Sequence, residues 1–142
     1  MIRKAIGKDL YNISKLWERL VLDARPEFKP RRDIWEQMAM QLLSTNNYTI
    51  LVAEVNGEIV GFIDGFIFME PSTGKVHGIG QHFYVLPGHR KMFIGAELYR
   101  EIVSLAVEKD AEVLEFFCFP EDLPFWRRHG YSPARVMVRA NV

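Results

Sequence analysis

A single cysteine, Cys118, stands among the 142 residues, so no internal disulfide can form. That scarcity fits a reducing, cytoplasmic setting. Charge of one sign is also missing: 18 Lys and Arg balance 18 Asp and Glu. A nucleic-acid-binding surface needs a basic excess, so no nucleic-acid partner is expected. Nor is there a long hydrophobic run. The longest apolar stretch, Ile59 to Met69, is interrupted by Asp64, and nothing approaches the roughly 20 residues of a membrane span. Met1 to Leu10 holds Arg3, Lys4, Lys8 and Asp9 with no apolar core, so no secretion signal is read there. No pair among His77, His82, His89 and His129 has metal-ligand spacing, and no metal is expected. Repeats, low-complexity tracts and linkers are lacking too. The chain is read as a single domain over residues 1–142.

What is present is material for a core: 49% hydrophobic residues, 13% of all residues aromatic. Met1 to Ile6 reads as a short strand. From Asp9, a plausible cap, Leu10, Ile13, Leu16, Trp17, Leu20 and Val21 follow helical spacing. Asp33 to Leu43 reads as a second helix buried through Ile34, Met38 and Leu42. Tyr48 to Val55 and Glu58 to Met69 are strands around an Asn56-Gly57 hairpin turn. Val76 to Val85 is the next strand. A helix over Phe93 to Lys109 buries Ile94, Leu98, Ile102 and Leu105. Val113 to Phe119 reads as a strand buried on both faces. A short helix over Leu123 to His129 and a last strand over Arg135 to Val142 complete the order. That order predicts an α/β (α+β) architecture, a central sheet with helices on both faces.

The segment from Val85 to Leu98 carries the most chemistry. A strand ends, a Pro/Gly turn presents Arg90 and Lys91, and a helix begins near Ile94. The first amides of a helix lack internal partners and sit at the positive end of its dipole. Strand, basic turn and helix start together suit an anion, and the ligand expected there carries phosphate.

Two local patterns then resemble the GNAT superfamily of N-acetyltransferases. Arg90-Lys91-Met92-Phe93-Ile94-Gly95 is similar to its acyl-CoA signature, and Phe125-Trp126-Arg127-Arg128-His129-Gly130-Tyr131 to its later aromatic motif. The resemblance spans essentially the whole chain. It implies a GNAT-like acyl-CoA N-acyltransferase fold with a mixed, mostly antiparallel sheet. It also implies acetyl transfer from acetyl-CoA to a primary amine. In such a fold two strands splay near Phe83, Tyr84 and Val85, whose backbone pairs with pantetheine. The pyrophosphate lies against Arg90, Lys91, Met92, Phe93, Ile94, Gly95 and Ala96, and a backbone amide stabilises the oxyanion. Trp126 is implied to border the donor. Relatives that pair through a sheet edge or C-terminal strand leave a homodimer open.

Three departures qualify the resemblance. Phe93 replaces the signature's first glycine. Trp126 replaces a tyrosine that protonates the leaving thiolate, a task an indole N–H cannot perform; Tyr84, Tyr131 and Cys118 are the substitutes. The conventional base is also missing. By strand alternation the Phe83 face holds His77, Ile79 and Gln81. His82 reaches a catalytic position only if a bulge near Gly78 and Gly80 shifts the phase. A competing reading is therefore a catalytically impaired GNAT-fold module for acyl-CoA binding or regulation. His77, His89 and His129 read as surface residues, Cys118 as a buried small residue, and the nearby aromatics mostly as core. Asp64 reads as outward-facing or as an acceptor-amine contact. Trp35, Glu36 and Glu70 are further candidates for bordering the acceptor.

Overall fold

The computed structural model describes residues 1–142. Its elements are β1 (Ile2–Lys4), α1 (Leu10–Ala24), α2 (Arg32–Leu43), β2 (Tyr48–Val55), β3 (Glu58–Met69), β4 (Val76–Val85), α3 (Ile94–Glu108), β5 (Val113–Phe116) and α4 (Leu123–Arg128). The sheet runs in the order β1-β2-β3-β4-β5. The first four strands pair antiparallel, and β5 joins β4 in parallel through α3. No helix is long and apolar enough to cross a membrane.

Alternation along β2 explains the layers. Ile50 and Val52 face the layer of α1 and α2 with Ile13, Leu16 and Phe62. Leu51 and Ala53 face α3 with Val60, Ile63 and Leu98. Asn56 (φ 51) and Gly57 (φ 80) both take left-handed backbone in the β2–β3 turn, as a two-residue hairpin of matching twist requires.

Four local expectations fail, each for a physical reason. Helix α2 buries Trp35 and Ala39, while Ile34 and Met38 are 45% and 57% exposed. Trp35 stacks on Trp17 at 5.8 Å and meets Phe62 edge-on at 6.4 Å. The largest ring is thereby inside and the helix is rolled accordingly. Asp9 precedes α1 but makes no cap. Its carboxylate accepts two bonds from Arg3 (2.7 and 3.0 Å) and the Ile6 N–H (2.9 Å). Strand β5 stops at Phe116 and is only half-buried, because it is the edge of the sheet. No strand forms over Arg135 to Val142. No residue beyond Tyr131 makes a main-chain hydrogen bond, and Val136, Met137 and Val138 are exposed. Arg135 holds this segment to β5 by its side chain, with both contacts to Glu115 at 3.2 Å, not by ladder bonds.

Candidate active site

Strands β4 and β5 stay paired from His77–Val113 to Gly80–Phe116, and Phe117 N–H still donates to Gly80 C=O (2.9 Å). There they part. The rest of β4 continues beside β3 to Val85, while the other chain turns off toward α4. Between them opens a cavity of about 1310 Å³. Gln81 to Val85 form one wall, Phe117 to Phe119 with Phe125 and Trp126 another, and the end of α1 with residues 27–30 a third. The edge of β4 facing the cavity has no strand partner.

Aromatic packing holds the wedge open. Phe116 stacks on Trp126 with centroids 4.4 Å apart and planes 23° from parallel. Trp126 also packs edge-on against Phe125 at 5.2 Å. Gly80 makes room for the Phe116 ring, since a Cβ there would lie 2.2 Å from it.

One extra residue sets the faces of β4. Asp64 pairs with His82 and Gly65 with Gly80, so Gln81 bulges out of register. Gly65 permits the close approach: a Cβ there would come within 2.8 Å of the Ile79 carbonyl oxygen. The bulge that the sequence reading made a condition for His82 is thus present. Before it, Gly78 faces Ala106 of α3. After it, His82 and Tyr84 face the α1 side. Tyr84 donates to Asp23 Oδ2 on α1 (2.7 Å), and burial, then this bond, pushes its phenol up. His82 reaches Asp64: its N–H donates to Oδ1 (2.7 Å) and its Nδ1 lies 2.9 Å from Oδ2. Asp64, read from sequence as outward-facing or contacting an acceptor, is 0% exposed. Its Oδ2 also accepts from Tyr48 on β2 (2.6 Å). Burial first, and then the Asp64 charge, push the Tyr48 phenol up, so it remains a donor. The His82 ring lines the cavity, and its Nε2 has no partner within the chain.

At the mouth, residues 87–92 form a tight turn. Arg90 Nε donates to Val85 C=O (2.8 Å), and its guanidinium lies over Tyr84, 5.4 Å from the ring centre. Phe93 takes left-handed backbone (φ 59, ψ 7). That conformation explains why glycine would be at ease there. Its ring is 75% exposed, so its bulk does not fill the helix start. The first main-chain bond of α3 is Glu97 N–H to Phe93 C=O. The N–H groups of Ile94, Gly95 and Ala96 therefore have no main-chain partner. Gly95 itself packs against Phe83.

The cavity wall thus includes His82, Phe83, Tyr84, Val85, Arg90, Gly95 and Trp126. The side chains of Lys91, Met92, Phe93 and Ala96 are exposed outside it, and Ile94 packs in the α3 core. Several other sequence readings need correction. Cys118 is exposed on the far wall because the chain has left the sheet. Burial, and next Asp122, nonetheless push its thiol up. His77 is only 8% exposed and its Nδ1 lies 2.7 Å from Glu115. Trp35 belongs to the core, and Glu36 accepts from Ser14 (2.5 Å), so neither lines the cavity. Glu70 accepts from Ser72 and Thr73 in the β3–β4 turn, and the Ser72 bonds first hold it down at about 2. Tyr131 is bonded to Tyr99 (2.9 Å). Tyr48, Asp23 and Arg139 were not singled out from sequence. Ile50 pairs with Asp64 only because β2 shifts register at Ala53 and Glu54, and simple counting from Asn56-Gly57 misses that.

The description "Acetyltransferase (GNAT) family" matches residues 10–131. An uncharacterized N-acetyltransferase of Archaeoglobus fulgidus is 35% identical over 81 residues, which are 54% of this chain and 52% of that protein. The chain thus spans about half the length of the curated relative it matches. Among solved structures, one described as a predicted acetyltransferase with acetyl-CoA from Clostridium acetobutylicum superposes with a TM-score of 0.83. Identity there is 19%, covering 99% of this chain and 95% of that one. A ribosomal-protein-alanine N-acetyltransferase from Brucella melitensis has a TM-score of 0.74 at 24% identity, covering 100% and 99%. At these identities the solved structures share the fold.

Proposed function

The chain belongs to the GNAT acetyltransferase family, and from that premise we propose that residues 1–142 act as one domain moving an acetyl group from acetyl-CoA to a primary amine. The observation that carries this reading is the wedge after Gly80, with three unpartnered amides of α3 beside its mouth. The unpaired edge of Phe83, Tyr84 and Val85 suits an amide-bearing pantetheine, which would add to the sheet as a strand does. The amides of Ile94, Gly95 and Ala96, with Arg90 and Lys91, suit a pyrophosphate. Phe93 leaves that cradle open, and Met92 lies in the turn leading to it. Trp126 lines the donor side. Acetyl-CoA supplies the activated acyl carbon. A free thiol at Cys118 suits a reducing, cytoplasmic setting.

The amine must lose a proton to attack, since an unperturbed primary amine titrates near ~10.4. His82 is the base in this reading, because its ring lines the cavity and Nε2 has no hydrogen-bond partner within the chain. Trp126 cannot protonate the thiolate.

Isothermal titration with acetyl-CoA, followed by thiol release across a panel of amines, tests the proposal. We expect micromolar binding, turnover with at least one amine, and a loss of about 10²- to 10⁴-fold in kcat for His82→Ala. No heat at high micromolar acetyl-CoA overturns the donor assignment. Binding without transfer to any amine overturns the enzyme reading in favour of a binding module.

A further inference from the structure

We propose that Asp64, backed by Tyr48, is the positioning residue that fixes the tautomer and direction of His82; this rests on the reading of His82 as base. Asp64 is 0% exposed, and from Ile59 to Met69 every other residue of its strand is apolar or glycine. A carboxylate so placed needs compensation from every side. It receives it from three groups: Tyr48 hydroxyl (2.6 Å), His82 N–H (2.7 Å) and His82 Nδ1 (2.9 Å).

The first two can only donate here. A main-chain N–H has no acceptor, and burial keeps the Tyr48 phenol protonated. Both carboxylate oxygens are thus already accepting. The ring nitrogen beside Oδ2 completes the set by donating as well, which puts the proton on Nδ1 and the lone pair on Nε2. Nε2 is the ring nitrogen left without a partner in the chain, on a side chain that lines the cavity.

The grip is also geometric. A single carboxylate holds both the main chain and the ring of His82, so the backbone position and the ring direction are set together. The Gln81 bulge and the close approach at Gly65 bring His82 opposite Asp64. Tyr48 is itself buried, with its ring 4.6 Å from that of Phe66, and so cannot swing away.

In the transfer step, Nε2 takes one proton from the ammonium, the freed nitrogen lone pair bonds to the acyl carbon, and the nitrogen's second surplus proton passes through water to the departing sulfur. The carbon–sulfur bond breaks, and its electron pair leaves on the thiolate. The imidazolium formed is balanced by Asp64, whose hydrogen bonds are already in place. Nothing has to reorganise around the new charge.

The experiment uses the full chain and two readouts. Nitrogen-15 NMR of the His82 ring reports the tautomer without any turnover. Steady-state kinetics with acetyl-CoA and the best amine report kcat. We expect the Nδ1–H form in the wild type. In Asp64→Asn an amide can donate to Nδ1, so the proton moves to Nε2. Its kcat should fall about 100-fold or more while the Kd for acetyl-CoA stays within about threefold. Tyr48→Phe should keep the tautomer and lose about three- to tenfold in kcat. A wild-type ring protonated at Nε2, or Asp64→Asn turning over within threefold of wild type, overturns the inference. The wild-type tautomer decides the matter if the Asn variant fails to fold. A wild-type chain that acetylates no amine sinks the functional reading instead, an outcome the ring spectrum separates from this one.

Discussion

Replacing Gly80 by alanine is the most direct test of what holds the wedge open. The new methyl would sit 2.2 Å and 2.3 Å from two carbons of the Phe116 ring. Ordinary carbon contact begins near ~3.5 Å, so the ring must withdraw by roughly 1 Å. Its aromatic neighbours restrict that withdrawal. Trp126 is stacked behind it at 4.4 Å, with Tyr99 and Tyr131 at 6.0 and 5.6 Å. Overpacking of this kind costs about 2 kcal/mol, and loss of the Phe116–Trp126 stack about 1 kcal/mol more. For a chain of this size a loss near 3 kcal/mol lowers the Tm by about 10 °C. Thermal melts followed by circular dichroism measure it. Gly88→Ala is the control, since no atom lies within 4 Å of its added carbon. The control should melt within about 2 °C of the wild type. A Gly80→Ala variant that does the same would refute the packing argument, showing that Phe116 is not wedged.

Arg3→Ala should cost about 3 kcal/mol at neutral pH, because it strands the buried Asp9 carboxylate. Arg3's hydrogen bonds hold the Asp9 carboxyl below its usual range. This stabilisation is therefore full above the unfolded value near ~4 and lost as pH falls through the folded one. Urea melts of both proteins should show the gap between them closing in acid, and a gap constant from pH 7 to strong acid would contradict this. Phe93→Ala should leave acetyl-CoA affinity within about threefold by isothermal titration, because the ring points to solvent, and a tenfold change in either direction would contradict that. Arg90→Ala should weaken the same binding by about tenfold, since Val85 and Tyr84 hold its guanidinium at the cavity.

Local chemistry made much of the fold legible. Asn56-Gly57 marks its hairpin because both residues tolerate left-handed backbone. Alternation over Ile50 to Ala53 sorts the two core layers, and Ile94, Leu98 and Ile102 mark the inner face of α3. The strand, turn and helix around Arg90 are likewise readable, because free helix amides follow from chain geometry alone. What stayed hidden depends on partners far away in sequence. Gln81 is an unremarkable residue until β4 is laid against β3, and only then does it turn His82 toward Asp64. Helix α2 offers two apolar stripes, and contact with Trp17 and Phe62 selects the one with Trp35. Arg135 to Val142 alternates well enough for a strand, yet a strand exists only where a neighbour's ladder takes it up.

That last segment gives the cavity two boundaries of unequal strength. Val85 and the residues before it are laddered to β3 on either side of the Gln81 bulge, and those of their amides that bond to β3 would exchange with solvent only on large-scale opening. Arg139 borders the same cavity from a stretch with no main-chain bonds, anchored through the contact of Arg135 with Glu115. Amides there would exchange at rates near those of an unfolded peptide. A bulky ligand in the proposed site could therefore enter and leave by displacing only the C-terminal side, with the half that includes His82 staying rigid.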